Sequence, residues 1–247
     1  MRKHLWLIPI LAVGLSVMSM GTAAAQDKVK LKLGEYLKGT ITAKVYEVGY
    51  SFSGKKGDVV TLEIVPDQQT GDLDPTVELR DSNGQSLAIN DGFSFPLTLA
   101  IAELPADGDY IAVAGRSGGE AGDTTGDYML RVSIAKLVAA GSTIDTKVSS
   151  SASAPPQIYV MHPDKATTLT VDFTQQPTID YFTAIGILKY MDDAYSVPVM
   201  NMDNTNKLTK ATLTVDLEAG AFYVIKIVQG DYSLNDPVDF PVTLTLK

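Results

Sequence analysis

The chain has 247 residues, no cysteine, and 20 lysines and arginines against 29 aspartates and glutamates, a net charge of −9. No disulfide can hold it together, so folding rests on apolar cores, and so acidic a chain lacks the basic face that binding to nucleic-acid phosphates requires. Its size allows one large β domain or two modules of ordinary size.

Residues 1–4 are basic, residues 5–20 form an uncharged apolar core, and Thr22-Ala23-Ala24-Ala25 is a small-residue cleavage site before Gln26. That is the pattern of a signal peptide over residues 1–25. The apolar core is just shorter than a stretch that usually spans a bilayer, so cleavage after Ala25 is expected over retention as an anchor. The mature chain is then secreted, periplasmic or cell-surface, and not an integral membrane protein. Losing Arg2 and Lys3 leaves 18 bases against 29 acids, a net charge of −11, and losing His4 leaves His162 as the single histidine.

From Thr40 onward short alternating strands dominate. Val60, Leu62 and Ile64 share one face while Thr61 and Glu63 take the other; Val77 and Leu79 oppose Thr76, Glu78 and Arg80. Leu97, Leu99 and Ile101 repeat the pattern, and Tyr128, Leu130, Val132 and Ile134 close the first half. These read as half-buried strands of antiparallel sheets, joined by turns such as Asp81-Ser82-Asn83-Gly84, Asn90-Asp91-Gly92 and Ala106-Asp107-Gly108. The glycine-rich run at residues 115–122 reads as a flexible loop, since no helix follows to hold a phosphate.

The second half replays this order. Gly34 and the strand after it match Gly141 and residues 143–148; Tyr50-Ser51-Phe52 matches Ile158-Tyr159-Val160; residues 59–65 match 167–173. Residues 97–104 followed by Gly108-Asp109-Tyr110 match 213–217 followed by Gly220-Ala221-Phe222, and 127–134 match 239–246. A repeat near one hundred residues predicts tandem modules, 26–138 and 139–247, with the boundary inside residues 135–140. The Ser- and Pro-rich stretch at residues 149–156 then lies inside the second module. Residues 110–114 and 222–228 are apolar on both faces, which predicts cover on their second side. The two modules are accordingly expected to pack together, with Leu137 and Val138 buried near the contact.

Several segments of the first module carry a family resemblance. Tyr50-Ser51-Phe52-Ser53-Gly54-Lys55-Lys56-Gly57-Asp58, then Leu73-Asp74-Pro75-Thr76-Val77-Glu78-Leu79, then Asn90-Asp91-Gly92, then Leu104-Pro105-Ala106-Asp107-Gly108-Asp109-Tyr110 keep an order and spacing that resembles the bacterial pre-peptidase C-terminal domain. The resemblance implies a jelly-roll-like β-sandwich of about one hundred residues, an accessory part of secreted peptidases that binds extracellular material. It makes the whole chain an all-β protein of two tandem jelly-roll-like antiparallel sandwiches, the second divergent. Some members of that family bind calcium through an acidic segment before the first strand; here that segment, Asp27-Lys28-Val29-Lys30-Leu31-Lys32, is basic.

Chemistry-bearing residues are sparse. His162 alone cannot complete a Ser-His-Asp triad with any nucleophile elbow, and one histidine without cysteine cannot supply the usual zinc ligands. Catalytic residues and a resident cofactor are therefore not expected. Asp72, Asp74, Asp81, Asn83 and Asp91 fall in two loop regions of the first module and are the candidate calcium ligands, with turn capping as their structural role. Tyr190 and Tyr195 flank an acidic segment read as an exposed loop and are the candidate ligand-stacking residues. The sequence points to a secreted, non-enzymatic binding or accessory protein acting on an extracellular protein or polysaccharide. The alternatives are a chaperone-like partner of a separately encoded peptidase and a carboxylate-dependent hydrolase.

Overall fold

The computed structural model describes residues 29–90, 98–149, 157–175, 183–190, 197–203, 210–229 and 239–247. The signal peptide expected at residues 1–25 lies outside them. The first nine strands are β1 (Val29–Lys30), β2 (Leu37–Ile41), β3 (Glu47–Gly54), β4 (Val59–Pro66), β5 (Pro75–Asp81), β6 (Ser86–Asn90), β7 (Thr98–Glu103), β8 (Gly108–Arg116) and β9 (Gly126–Ile134). The next eight are β10 (Thr143–Ser149), β11 (Gln157–Met161), β12 (Thr167–Gln175), β13 (Thr183–Lys189), β14 (Val197–Asp203), β15 (Lys210–Leu217), β16 (Tyr223–Gln229) and β17 (Asp239–Leu246). The chain is all-β, with one short 3₁₀ turn at Gly119–Ala121 among the described residues.

Four sheets form two sandwiches. The first pairs β1-β3-β8-β5-β6 with β2-β9-β4-β7, and the second pairs β11-β16-β13-β14 with β10-β17-β12-β15. Leaving aside β1, which joins β3 in parallel, each sandwich winds eight strands in one order: first, eighth, third, sixth in one sheet and second, seventh, fourth, fifth in the other. That is jelly-roll winding, and the two copies are topologically identical.

Detailed contacts repeat as well. Gly34, at φ 84°, donates its amide to Val132 O at 2.8 Å, and Gly141, at φ 90°, donates to Leu246 O at 2.7 Å. Both glycines hold the left-handed backbone that lets the chain turn into the first strand of its sandwich. The Tyr110 hydroxyl donates to Ala106 O (2.6 Å) in the turn before β8, and the Tyr223 hydroxyl accepts the Glu218 amide (2.8 Å) in the turn before β16. Tyr223, not Phe222, is therefore the counterpart of Tyr110. The second turn is one residue longer, which displaces the sequence match by one position.

Each sandwich encloses its own core. Val60, Leu62, Ile64, Phe52, Leu79 and Leu130 meet in the first; Leu169, Val171, Phe173, Ile187, Ile225 and Leu244 meet in the second. A third cluster joins them: Val59, Leu99 and Ile101 of β4 and β7 pack with Ile158, Val160, Tyr190 and Val224 of the second sandwich. This seam explains why β7 departs from simple alternation: Leu99 and Ile101 point away from the first core and are nevertheless buried. Thr61 and Glu63 on β4 are buried on the same side, Glu63 beneath Arg131 and Tyr36.

The seam differs in two respects from the sequence expectation. Of the two strands expected to be covered, β16 contributes through Val224, but the first sandwich uses β4 and β7 rather than β8. The run Leu99-Ala100-Ile101-Ala102 is continuous apolar sequence, the signature of a strand buried on both sides. Leu137, expected to be buried, is 57% exposed. The connector pairs in parallel with β11 through Val138 N to Val160 O (2.9 Å) and Val160 N to Lys136 O (3.0 Å), so Lys136 and Val138 turn to one side and Leu137 to the other. Val138 takes the core side. Neighbours in an extended strand cannot share a face.

Candidate functional site

The candidate calcium ligands do not converge. Asp72 and Asp74 precede β5, where the Thr125 amide donates to Asp72 Oδ1 (3.2 Å) and the Asp74 amide donates to Thr124 Oγ1 (3.2 Å). Asp81 and Asn83 lie at the far end of the same strand, about 20 Å away at the rise of an extended chain. There Asp81 Oδ1 accepts the amides of Asn83 (2.9 Å) and Gln85 (2.8 Å), closing the turn. These hydrogen bonds, the one from Gln85 foremost, hold its carboxyl below the usual aspartate range. Asp91 lies outside the described residues. Among the described residues no three acidic, histidine or cysteine side chains are grouped so as to hold a metal ion.

Of the stacking candidates, Tyr195 also lies outside the described residues. Tyr190 is 7% exposed and belongs to the seam, its amide bonded to Phe222 O at 2.9 Å. A ring buried there presents no face to a sugar. The sequence placed Tyr190 beside a loop, whereas it follows β13 directly and continues the outward row of Leu188.

His162 stacks on Phe222 (centroids 4.2 Å apart, planes at 23°), and its Nδ1 has no hydrogen-bond partner among the described residues. The ion pair between Glu63 and Arg131 is structural in its surroundings. Glu63, 1% exposed, accepts Arg131 Nη2 (2.6 Å) and the Tyr36 hydroxyl (3.2 Å), and the guanidinium carbon lies 4.5 Å over the Tyr36 ring. Burial, reinforced by Glu63, pushes the Tyr36 hydroxyl well above the ordinary tyrosine range. The glycine-rich loop at residues 115–122 has a frame. Buried Arg116 donates to the carbonyls of Gly119 (2.8 Å), Glu120 (3.3 Å), Thr42 (3.4 Å) and Thr124 (3.4 Å), tying that loop to two others.

One surface is unusually uniform. Thr168-Leu169-Thr170, Thr212-Leu213-Thr214 and Thr243-Leu244-Thr245 place the same tripeptide on β12, β15 and β17, which are adjacent in one sheet. The strand period of two sends each central leucine inward and both threonines outward. Register lines them up: Thr170 faces Thr214, Asp172 lies between Thr212 and Thr245, and Thr174 faces Thr243. Three aspartates complete the array, accepting hydroxyl protons from Thr168 (onto Asp216, 2.7 Å), Thr212 (onto Asp172, 2.7 Å) and Thr243 (onto Asp145, 2.6 Å). The bond from Lys247, then that from Thr212, holds the Asp172 carboxyl below its usual range. The Thr-Leu-Thr repeat was visible in the sequence, but its meaning depends on β17 lying beside β12, which is a matter of topology.

Fold and surface together define a class: a tandem jelly-roll protein with solvent-facing sheets. No family profile matches the chain, and no curated protein does. Among solved structures, one similar fold is the pre-peptidase C-terminal domain of a Bacillus anthracis collagenase, at 16% identity and TM-score 0.35, covering 43% of this chain and 95% of that one. Another is the tandem CBM51 pair of a family 98 glycoside hydrolase from Streptococcus pneumoniae, at 10% identity and TM-score 0.24, covering 81% of each chain. A third is the M60 catalytic domain with two CBM51 domains of Clostridium perfringens ZmpB, at 8% identity and TM-score 0.25, covering 81% of this chain and 33% of that one.

Proposed function

We propose that this chain is a non-catalytic binding or accessory protein that works outside the cell on an extracellular protein or polymer. The observation that carries this reading is how its polar groups are employed. Asp81 closes its turn, Asp72 accepts the Thr125 amide from a neighbouring loop, Glu63 neutralises Arg131, and Arg116 frames loops. The chemistry-bearing side chains thus stiffen a scaffold, and the most regular polar surface is an open sheet face rather than a cleft. Recognition by surface complementarity on a rigid β frame suits this arrangement, whereas general acid–base chemistry needs convergent groups around a reacting atom.

The test is a paired assay of the mature protein. Incubation with peptide, ester and glycan substrates is expected to give no turnover above a buffer blank, while sedimentation with insoluble extracellular polymers, with and without calcium, is expected to show retention in both. Turnover that disappears in Asp74→Asn or Asp81→Asn would overturn the reading.

A further inference from the structure

We propose that the threonine face of the sheet β10-β17-β12-β15 is the binding surface, and that its occupant is an extended, uncharged polysaccharide chain. This rests on the binding-protein reading above and assigns it a place and a ligand class.

The internal duplication supplies the first argument. Aligning the sandwiches on Val132 and Leu246, which accept the equivalent glycine amides, makes Val59, Glu63, Leu99 and Ile101 the counterparts of Thr168, Asp172, Thr212 and Thr214. In the first sandwich this face is covered by a sheet of the second, through the seam. The same face of the same fold therefore serves, within this chain, as a contact surface, there through the apolar side chains of Val59, Leu99 and Ile101. In the second sandwich it is open.

A merely wetted face does not need such uniformity. On the outward face of β3, β8 and β5 long side chains stand up from the sheet, with Arg80 held between Glu78 and Glu47. The threonine face instead carries mostly short β-branched side chains, with Lys247 reaching in to Asp172. Outward groups recur about 4.8 Å apart across strands and about 6.8 Å apart along them, a spacing on which an extended chain can be met repeatedly.

Charge and hydrogen-bond sense select the ligand. Three threonine hydroxyls spend their protons on Asp145, Asp172 and Asp216. The hydroxyl lone pairs and the second oxygens of Asp145 and Asp216 remain, while that of Asp172 is held by Lys247, so the face still offers more acceptors than donors. Sugar hydroxyls supply donors without charge. Phosphate, sulfate and carboxylate groups add only acceptors and negative charge, and the chain's net charge of −9 repels polymers that carry them.

The test is depletion of the full mature protein from solution by microcrystalline chitin and by cellulose, repeated in 1 M salt. The comparison uses Thr170→Arg/Thr214→Arg on the proposed face and Ser53→Arg on the opposite outer face, with thermal unfolding of each; Thr214→Lys alone replaces the double variant if that one unfolds. The expected result is salt-resistant depletion by at least one polymer, unchanged in Ser53→Arg and weakened about tenfold or more in the threonine variants at unaltered thermal stability. Undiminished binding by the threonine variants overturns the assigned face and leaves the binding-protein reading standing. Binding only to a protein such as collagen, or binding abolished by salt, overturns the ligand class alone. No retention on any polymer overturns both.

Discussion

Gly39 shows how closely single residues are specified. A methyl group there would lie 2.4 Å from the Tyr128 ring and 2.7 Å from the Tyr50 hydroxyl, two buried tyrosines whose oxygens are 2.7 Å apart. Neither ring can retreat without breaking that bond or displacing the core, so Gly39→Ala is expected to cost about 1–3 kcal/mol, read from the denaturant midpoint. A cost near zero would mean that the tyrosine pair is loose. Titratable groups in the interior make a second, signed prediction. Burial lowers Lys226 to about 8, so between that value and its ordinary 10.5 the unfolded chain binds more protons and stability rises with pH. Below about 8 the lysine is charged in both states and the burial penalty is borne in full. Burial raises Tyr50 and Tyr128, so above their ordinary 10 the unfolded chain releases protons first and stability falls. The unfolding midpoint should climb from about pH 8 toward 10 and then decline, the climb flattening in Lys226→Met and the decline in Tyr50→Phe. A profile that falls throughout the range from 8 to 10 would contradict this.

At the scale of elements, the two turn-closing tyrosines should act alike because the turns before β8 and β16 are equivalent. Tyr110→Phe and Tyr223→Phe are each expected to lower stability by about 1 kcal/mol, the worth of one hydrogen bond to a backbone group, with little change in secondary structure by circular dichroism. A large loss for one and none for the other would show that only one turn is held in this way. Much at this scale was legible from the chain alone. The inward rows Val60-Leu62-Ile64 and Leu130-Val132 obey the strand period, and the repeat was visible because its glycines and apolar rows recur in order. Reading β7 as half-buried failed because Leu99 and Ile101 face a partner sheet that only tertiary structure supplies. Tyr190 failed for the same reason, and the calcium candidates because residues seven to eleven apart in sequence stand at opposite ends of a strand.

At the scale of the molecule, the account turns on the seam. Val59, Leu99 and Ile101 against Ile158, Val160 and Val224 form an apolar contact reinforced by a connector paired to β11, an arrangement that suits one body better than two on a tether. Each sandwich has its own core, and we expect residues 26–138 and 139–247 to fold separately as well, with separately expressed halves each unfolding cooperatively. Burying aspartate in the seam should separate them without unfolding them, since an unpaired charge there costs more than the contact returns. The most direct measurement is small-angle X-ray scattering of residues 26–247 beside the Ile101→Asp variant. The account predicts a single narrow distance distribution for the native chain and a broader, longer one for the variant; a native distribution already broad, like that of two freely moving bodies, would contradict it.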